Sequence, residues 1–65
     1  MEPLEWAKYV VRNRDEREYS TAFSILSANA NRGSSDAEFC LGLLYARGQG
    51  VEKDYVAAKE WFERA

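Results

Sequence analysis

The chain has no histidine, one cysteine, one proline and no long apolar run. Each shortage removes a class of function. Without histidine, the usual general base and the commonest nitrogen ligand for metals are both missing. Cys40 stands alone, so no intramolecular disulfide forms, and no imidazole is present to activate its thiol or share a soft metal. No apolar stretch approaches the roughly 20 residues needed to cross a bilayer. The opening MEPLEWAKYVVRNRDE has neither the basic start nor the apolar core of a secretory signal. The expectation is a soluble, cytoplasmic chain with no metal, no cofactor, no membrane partner and no enzymatic activity.

A strong excess of one charge is also lacking. Nine Lys and Arg stand against eleven Asp and Glu, for a net charge of −2. The nearest approach to a basic run is Arg12, Arg14 and Arg17, interrupted by Asp15, Glu16 and Glu18. Nucleic-acid binding needs a basic face that dominates locally, so no nucleic acid is expected as a partner. Length sets a further bound. A 65-residue chain of this kind buries only about 60% of the surface exposed on unfolding. Small scaffolds usually need a staple, and with disulfide and metal excluded the remaining one is more protein.

What is present is helical periodicity. Pro3 suits the first turn of a helix reaching about Asn13, with Leu4, Trp6, Ala7, Tyr9, Val10 and Val11 as a broad apolar stripe. Asp15 and Glu18 predict a capping pair for a second helix. That helix carries Tyr19, Ala22, Phe23, Leu26 and Ala30 at offsets 0, 3, 4, 7 and 11, and Gly33 stops it. Ser35 and Glu38 predict a capping box for a third helix ending near Arg47. Ala37, Cys40, Leu41, Leu44 and Tyr45 form one face of it, and Phe39, Gly42, Leu43 and Ala46 the other. A helix apolar nearly all round lies between two others. After Gly48-Gln49-Gly50, Asp54 caps a fourth helix with Tyr55, Ala58, Trp61, Phe62 and Ala65 inside.

The second and fourth helices match. Tyr19, Ala22, Ile25 and Leu26 recur as Tyr55, Ala58, Trp61 and Phe62, each 36 residues on, and Tyr9 recurs as Tyr45 at the same interval. A period of this size marks stacked hairpins. The pattern A-x3-L-G-x2-Y-x2-G-x-G-V-x2-D-x3-A-x2-W-x3-A rests on Ala37, Leu41, Gly42, Tyr45, Gly48, Gly50, Val51, Asp54, Ala58, Trp61 and Ala65. With these residues, segment 36–65 resembles a Sel-one-like repeat, a relative of the tetratricopeptide repeat. Residues 3–33 depart from it, with Glu5 and Trp6 in place of Leu-Gly and no glycine in the turn, and so predict a worn N-terminal capping repeat. The array is expected to continue beyond Ala65 or to self-associate.

The resemblance implies an all-α fold, an α-α superhelix of about two stacked helix-turn-helix hairpins. It also implies a protein-interaction scaffold or adaptor whose concave surface is formed by the first helices of successive hairpins. The alternative is a self-association module using the exposed C-terminal repeat face, hence a possible homo-oligomer. Glu38 and Arg47 are the charged candidates for partner contact on the well-matched first helix.

Other features reduce to structure. The G-x-G at Gly48–Gly50 follows a helix and has Lys53 where a dinucleotide motif needs a third glycine, so it predicts a helix-helix turn. Cys40 predicts a small core residue, and the acidic pairs Glu16/Glu18 and Glu60/Glu63 predict solvated faces. Ser20, Thr21, Ser24 and Ser27 form an uncharged outer face, with a partner surface as the alternative, and Trp6 and Tyr9 are expected against Ala22 and Phe23, with partner contact as the alternative.

Overall fold

The computed structural model describes residues 2–65, and these contain four α-helices and no strand. Helix α1 (Pro3–Asn13) has Pro3 in its first turn, where the missing N–H costs nothing. It ends at Arg14, which takes a left-handed φ of 56° and donates its N–H to the Val10 carbonyl. The predicted Asp15 cap is not made. Instead the chain closes a 3-10 turn over Glu16–Glu18, with Glu18 N–H donating to the Asp15 carbonyl at 3.0 Å. That tight turn uses up the positions a cap would have served, and α2 (Tyr19–Ala30) starts behind it.

Helix α3 (Ser35–Arg47) is capped one residue earlier than the sequence predicts. Ser34 has the extended backbone a cap requires, and its Oγ accepts the Ala37 N–H at 3.2 Å. Glu38 therefore falls one place too far along to reach back to the cap, and its carboxylate is free for another use. Helix α4 (Tyr55–Arg64) has the expected cap, with Asp54 Oδ1 accepting the Ala57 N–H at 3.0 Å.

The helices form two hairpins, α1/α2 and α3/α4. Helix α3 packs against all three others, as its nearly continuous apolar surface requires. The core is built from Ala7, Val10 and Val11 of α1, Tyr19, Ala22, Leu26 and Ala30 of α2, and Ala37, Cys40, Leu41 and Leu44 of α3. Leu26, Leu41 and Leu44 are fully enclosed, and burying each such side chain is worth about 1.5–3 kcal/mol. Between the hairpins, Tyr45 meets Phe23 edge to face, with centroids 5.7 Å apart and planes at 76°.

Two sequence equivalences differ in space. Helices α2 and α4 begin 36 residues apart (55 − 19), as the periodicity predicts, but α1 and α3 end only 34 apart (47 − 13). The turn of the second hairpin is longer and makes up the difference. Tyr9 is therefore not the counterpart of Tyr45: it is exposed, while Tyr45 is half-buried. Tyr55, expected inside, is 68% exposed, whereas Tyr19 is 5% exposed. The turn at Gly50 lies with its backbone directly on Tyr19, whereas the Tyr55 ring has the Lys53 ammonium over it, 5.6 Å from its centroid.

Candidate interaction groove

Helices α1 and α3 lie side by side, and the crease between them is a groove of about 410 Å³. From α1 it takes Lys8, Val11 and Arg12, at offsets 0, 3 and 4. From α3 it takes Asp36, Phe39, Cys40, Leu43 and Arg47, at offsets 0, 3, 4, 7 and 11. Both sets are single helical faces, so the groove follows from helix geometry once the two helices are adjacent.

One end is closed electrostatically. Lys8 Nζ lies 3.1 Å from Glu5 Oε1 on its own helix and 3.1 Å from Asp36 Oδ2 across the groove. The ammonium donates to the Glu5 carboxylate and to that of Asp36, and these hydrogen bonds, Glu5 first, raise its pKa above the ordinary 10.5. The floor is apolar. Val11 is buried, Leu43 is half-buried and Phe39 is 52% exposed, an unusual position for a phenylalanine in the middle of a helix. Phe39 is braced from behind by the Phe62 ring of α4, with centroids 5.5 Å apart. Cys40 sits deep in the floor, and burial pushes its thiol above the ordinary value of 9.0 against the opposing pull of Lys8. Such a thiol stays protonated near neutrality and is a poor nucleophile.

The other end is open. Arg12 and Arg47 are exposed, and neither has an ion-pair partner among the described residues. Lining charges are Lys8, Arg12 and Arg47 against Asp36, a local +2 (3 − 1) on a chain of net −2. A second crevice of about 410 Å³ opens between the start of α1 and the end of α2. Its charges, Glu2 and Arg32, cancel, and it has no exposed aromatic side chain.

Of the two predicted contact residues, Arg47 is on the groove and Glu38 is not. Glu38 is 6% exposed and faces α4, where its Oε2 lies 3.6 Å from Arg64 Nε. Arg64 in turn lies over the Trp61 ring, 4.5 Å from its centroid. The carboxylate is thus engaged within the second hairpin and closed to a partner, a consequence of the shifted cap. Lys8, Arg12, Asp36 and Phe39 are the residues that sequence reasoning missed. Their α3 stripe was visible at helical spacing, but which helix would flank it was not.

The motif residues have structural positions. Ala37, Leu41 and Ala58 are buried, and Gly42 lies against the Phe62 ring. Gly48 and Gly50 take φ of 68° and 74° in the turn, beside half-buried Val51. Tyr45 meets Phe23, Asp54 caps α4, and Trp61 packs on the core. Only Ala65 is exposed without a packing role. Among the described residues, no group of three or more His, Cys, Asp or Glu side chains is placed to hold a metal. Among the described residues no helix is long and apolar enough to cross a membrane. Neither a family model, nor a curated protein, nor a solved structure matches the chain.

Proposed function

We propose that this chain is a protein-interaction module of the Sel-one-like type, a cytoplasmic scaffold or adaptor that binds a segment of another protein in the groove between α1 and α3. It acts by binding and carries out no catalysis. The observation that carries this reading is Phe39, half-exposed at the centre of a groove and braced by Phe62. Interfaces place aromatic anchors in such positions, with polar and charged groups around them. The raised pKa of Cys40 supports the non-catalytic part of the reading.

The test is affinity capture with the chain and two single variants. Phe39→Asp puts a charge on the groove floor, and Ser24→Asp puts the same charge on the exposed face of α2. A partner retained by the parent and by Ser24→Asp but lost by Phe39→Asp supports the groove. Equal retention by both variants contradicts it.

A second reading, self-association through α4, is favoured by the exposure of Tyr55 and Val56 on that helix. Against it stands Lys59, which occupies the position that Phe23 fills in α2, 36 residues earlier (59 − 23), so α4 lacks the aromatic that joins the two hairpins. Sedimentation equilibrium decides: a monomer at micromolar concentration removes this reading, and a dimer dissociated by Val56→Asp supports it.

A further inference from the structure

We infer that the segment taken by the groove is acidic, an extended stretch of a partner protein with an apolar side chain beside its carboxylates. The inference rests on the groove reading proposed above and adds the chemistry of the occupant. Three features of the groove define the occupant: its charges and its floor select that chemistry, and its length sets the size of the segment.

The first is the asymmetry of its charges. Lys8 is already neutralised by Glu5 and Asp36, at 3.1 Å each, so it closes the groove and asks for nothing. Arg12 is one turn beyond Lys8 on α1, and Arg47 is at the last residue of α3, eleven residues beyond Asp36 (47 − 36). Both guanidiniums therefore stand on the far side of that ion pair, and neither has a carboxylate of its own among the described residues. Exposed guanidiniums flanking a crease bind carboxylates in a bidentate manner, which a lone ammonium does not.

The second is the floor. Phe39 and Leu43 are one helical turn apart on α3, with Val11 opposite on α1. They form an apolar seat between the closed end and the cationic end. A purely acidic strand would cover this surface with solvated carboxylates and gain nothing from it. One Leu, Met or aromatic side chain on the occupant dries it instead.

The third is length. The eleven helical steps from Asp36 to Arg47 (47 − 36) span about 16 Å. An extended chain covers that distance in about five residues. The occupant is thus a short linear segment, with its apolar residue over Phe39 and Leu43 and its acidic residues toward Arg12 and Arg47.

A polyanionic nucleic acid is the competing occupant. The chain's net charge of −2 repels it at a distance, and of the cations lining the groove only Arg12 and Arg47 lack an ion-pair partner among the described residues to meet phosphates. The apolar seat also has no counterpart on a phosphate backbone.

The experiment uses the whole chain and fluorescence anisotropy with three labelled probes. One is a short Ser/Gly peptide carrying Glu residues around a central Leu. The second is the same peptide with each Glu replaced by Gln, and the third is an oligothymidylate of similar length. Each is titrated against the parent chain, Phe39→Ser, and the double variant Arg12→Gln/Arg47→Gln, whose changes are confined to exposed side chains. The expected result is that the Glu peptide binds, weakens about tenfold in the double variant, weakens with added salt, and is lost in Phe39→Ser. If the Gln peptide binds as tightly and is lost only in Phe39→Ser, the acidic assignment is overturned while the groove reading stands. Equal binding of oligothymidylate with the same dependence on Arg12 and Arg47 overturns the assignment to a protein segment. If no probe binds in a manner sensitive to Phe39→Ser, the acidic assignment and the groove reading fall together.

Discussion

At Gly42 a single hydrogen atom stands where any side chain would meet the ring of Phe62. The glycine costs α3 about 1 kcal/mol of helix propensity relative to alanine, and its return is the close approach of α4. Phe62 in turn supports Phe39, so a helix-weakening residue on one face of α3 holds up the aromatic floor on another. Gly42→Ala is expected to destabilise the chain by about 1–2 kcal/mol through overpacking. With Phe62→Ala also present, the same change becomes neutral or stabilising by up to about 1 kcal/mol. Urea unfolding of the four proteins in the cycle measures the coupling, and strict additivity would refute the contact.

Cys40 and Lys8 set the pH response at the same scale. Burial raises the thiol's pKa in the folded chain, so the unfolded chain loses that proton first, and stability falls as pH climbs past 9.0. The raised pKa of Lys8 acts in the same direction at higher pH: its contribution is intact below 10.5 and is lost as the folded ammonium deprotonates. The urea midpoint is therefore expected to decline on the alkaline side, and Cys40→Ala is expected to remove the part of the decline that begins near 9.0. An unchanged alkaline profile in that variant would show that the thiol is not held in its protonated form by the fold.

At the scale of elements, the caps account for what sequence reasoning did and did not reach. Asp54 follows a glycine-rich break and precedes a clear helical stripe, so both its role and the start of α4 were legible. Ser34 and Ser35 are adjacent and chemically alike, and only the backbone at Ser34 decides between them. A one-residue shift there carries Glu38 from a capping role into an ion pair with the exposed Arg64. Ser34→Ala is expected to cost about 1 kcal/mol, the usual loss for a helix cap. Ser35→Ala, at an exposed position, is expected to stay within about 0.5 kcal/mol of the parent. Thermal or urea unfolding of the two variants distinguishes them, and the reverse order would move the cap back to Ser35. The acidic turn at Asp15–Glu18 escapes the sequence pattern for a related reason. Its residues satisfy a capping pattern, but the chain there closes a 3-10 turn whose geometry the pattern does not encode.

Across the whole molecule, helix number, order and the central place of α3 followed from periodicity, because one helix apolar on both sides leaves few arrangements open. The groove did not follow in the same way. Its residues come from two helices that are not consecutive, and α1 aligns with α3 at 34 residues rather than the 36 that relates α2 to α4. Fixing one period for the entire chain matches Tyr9 to Tyr45, although Tyr9 is exposed and Tyr45 half-buried. The molecule is also thin, with Cα extents of 30 × 23 × 15 Å. Since one helix is about 10 Å across, every element keeps a solvent face, and exposure alone does not single out a binding surface. The proposal of a binding surface between α1 and α3 rests instead on a combination: an exposed aromatic, two guanidiniums without an ion-pair partner among the described residues, and a shaped crease. The most direct test is amide chemical-shift mapping of the isotope-labelled chain with its captured partner. The largest changes are expected at Val11, Arg12, Phe39, Leu43 and Arg47; changes centred instead on Tyr55, Val56 and Phe62 of α4 would contradict the groove as the binding site.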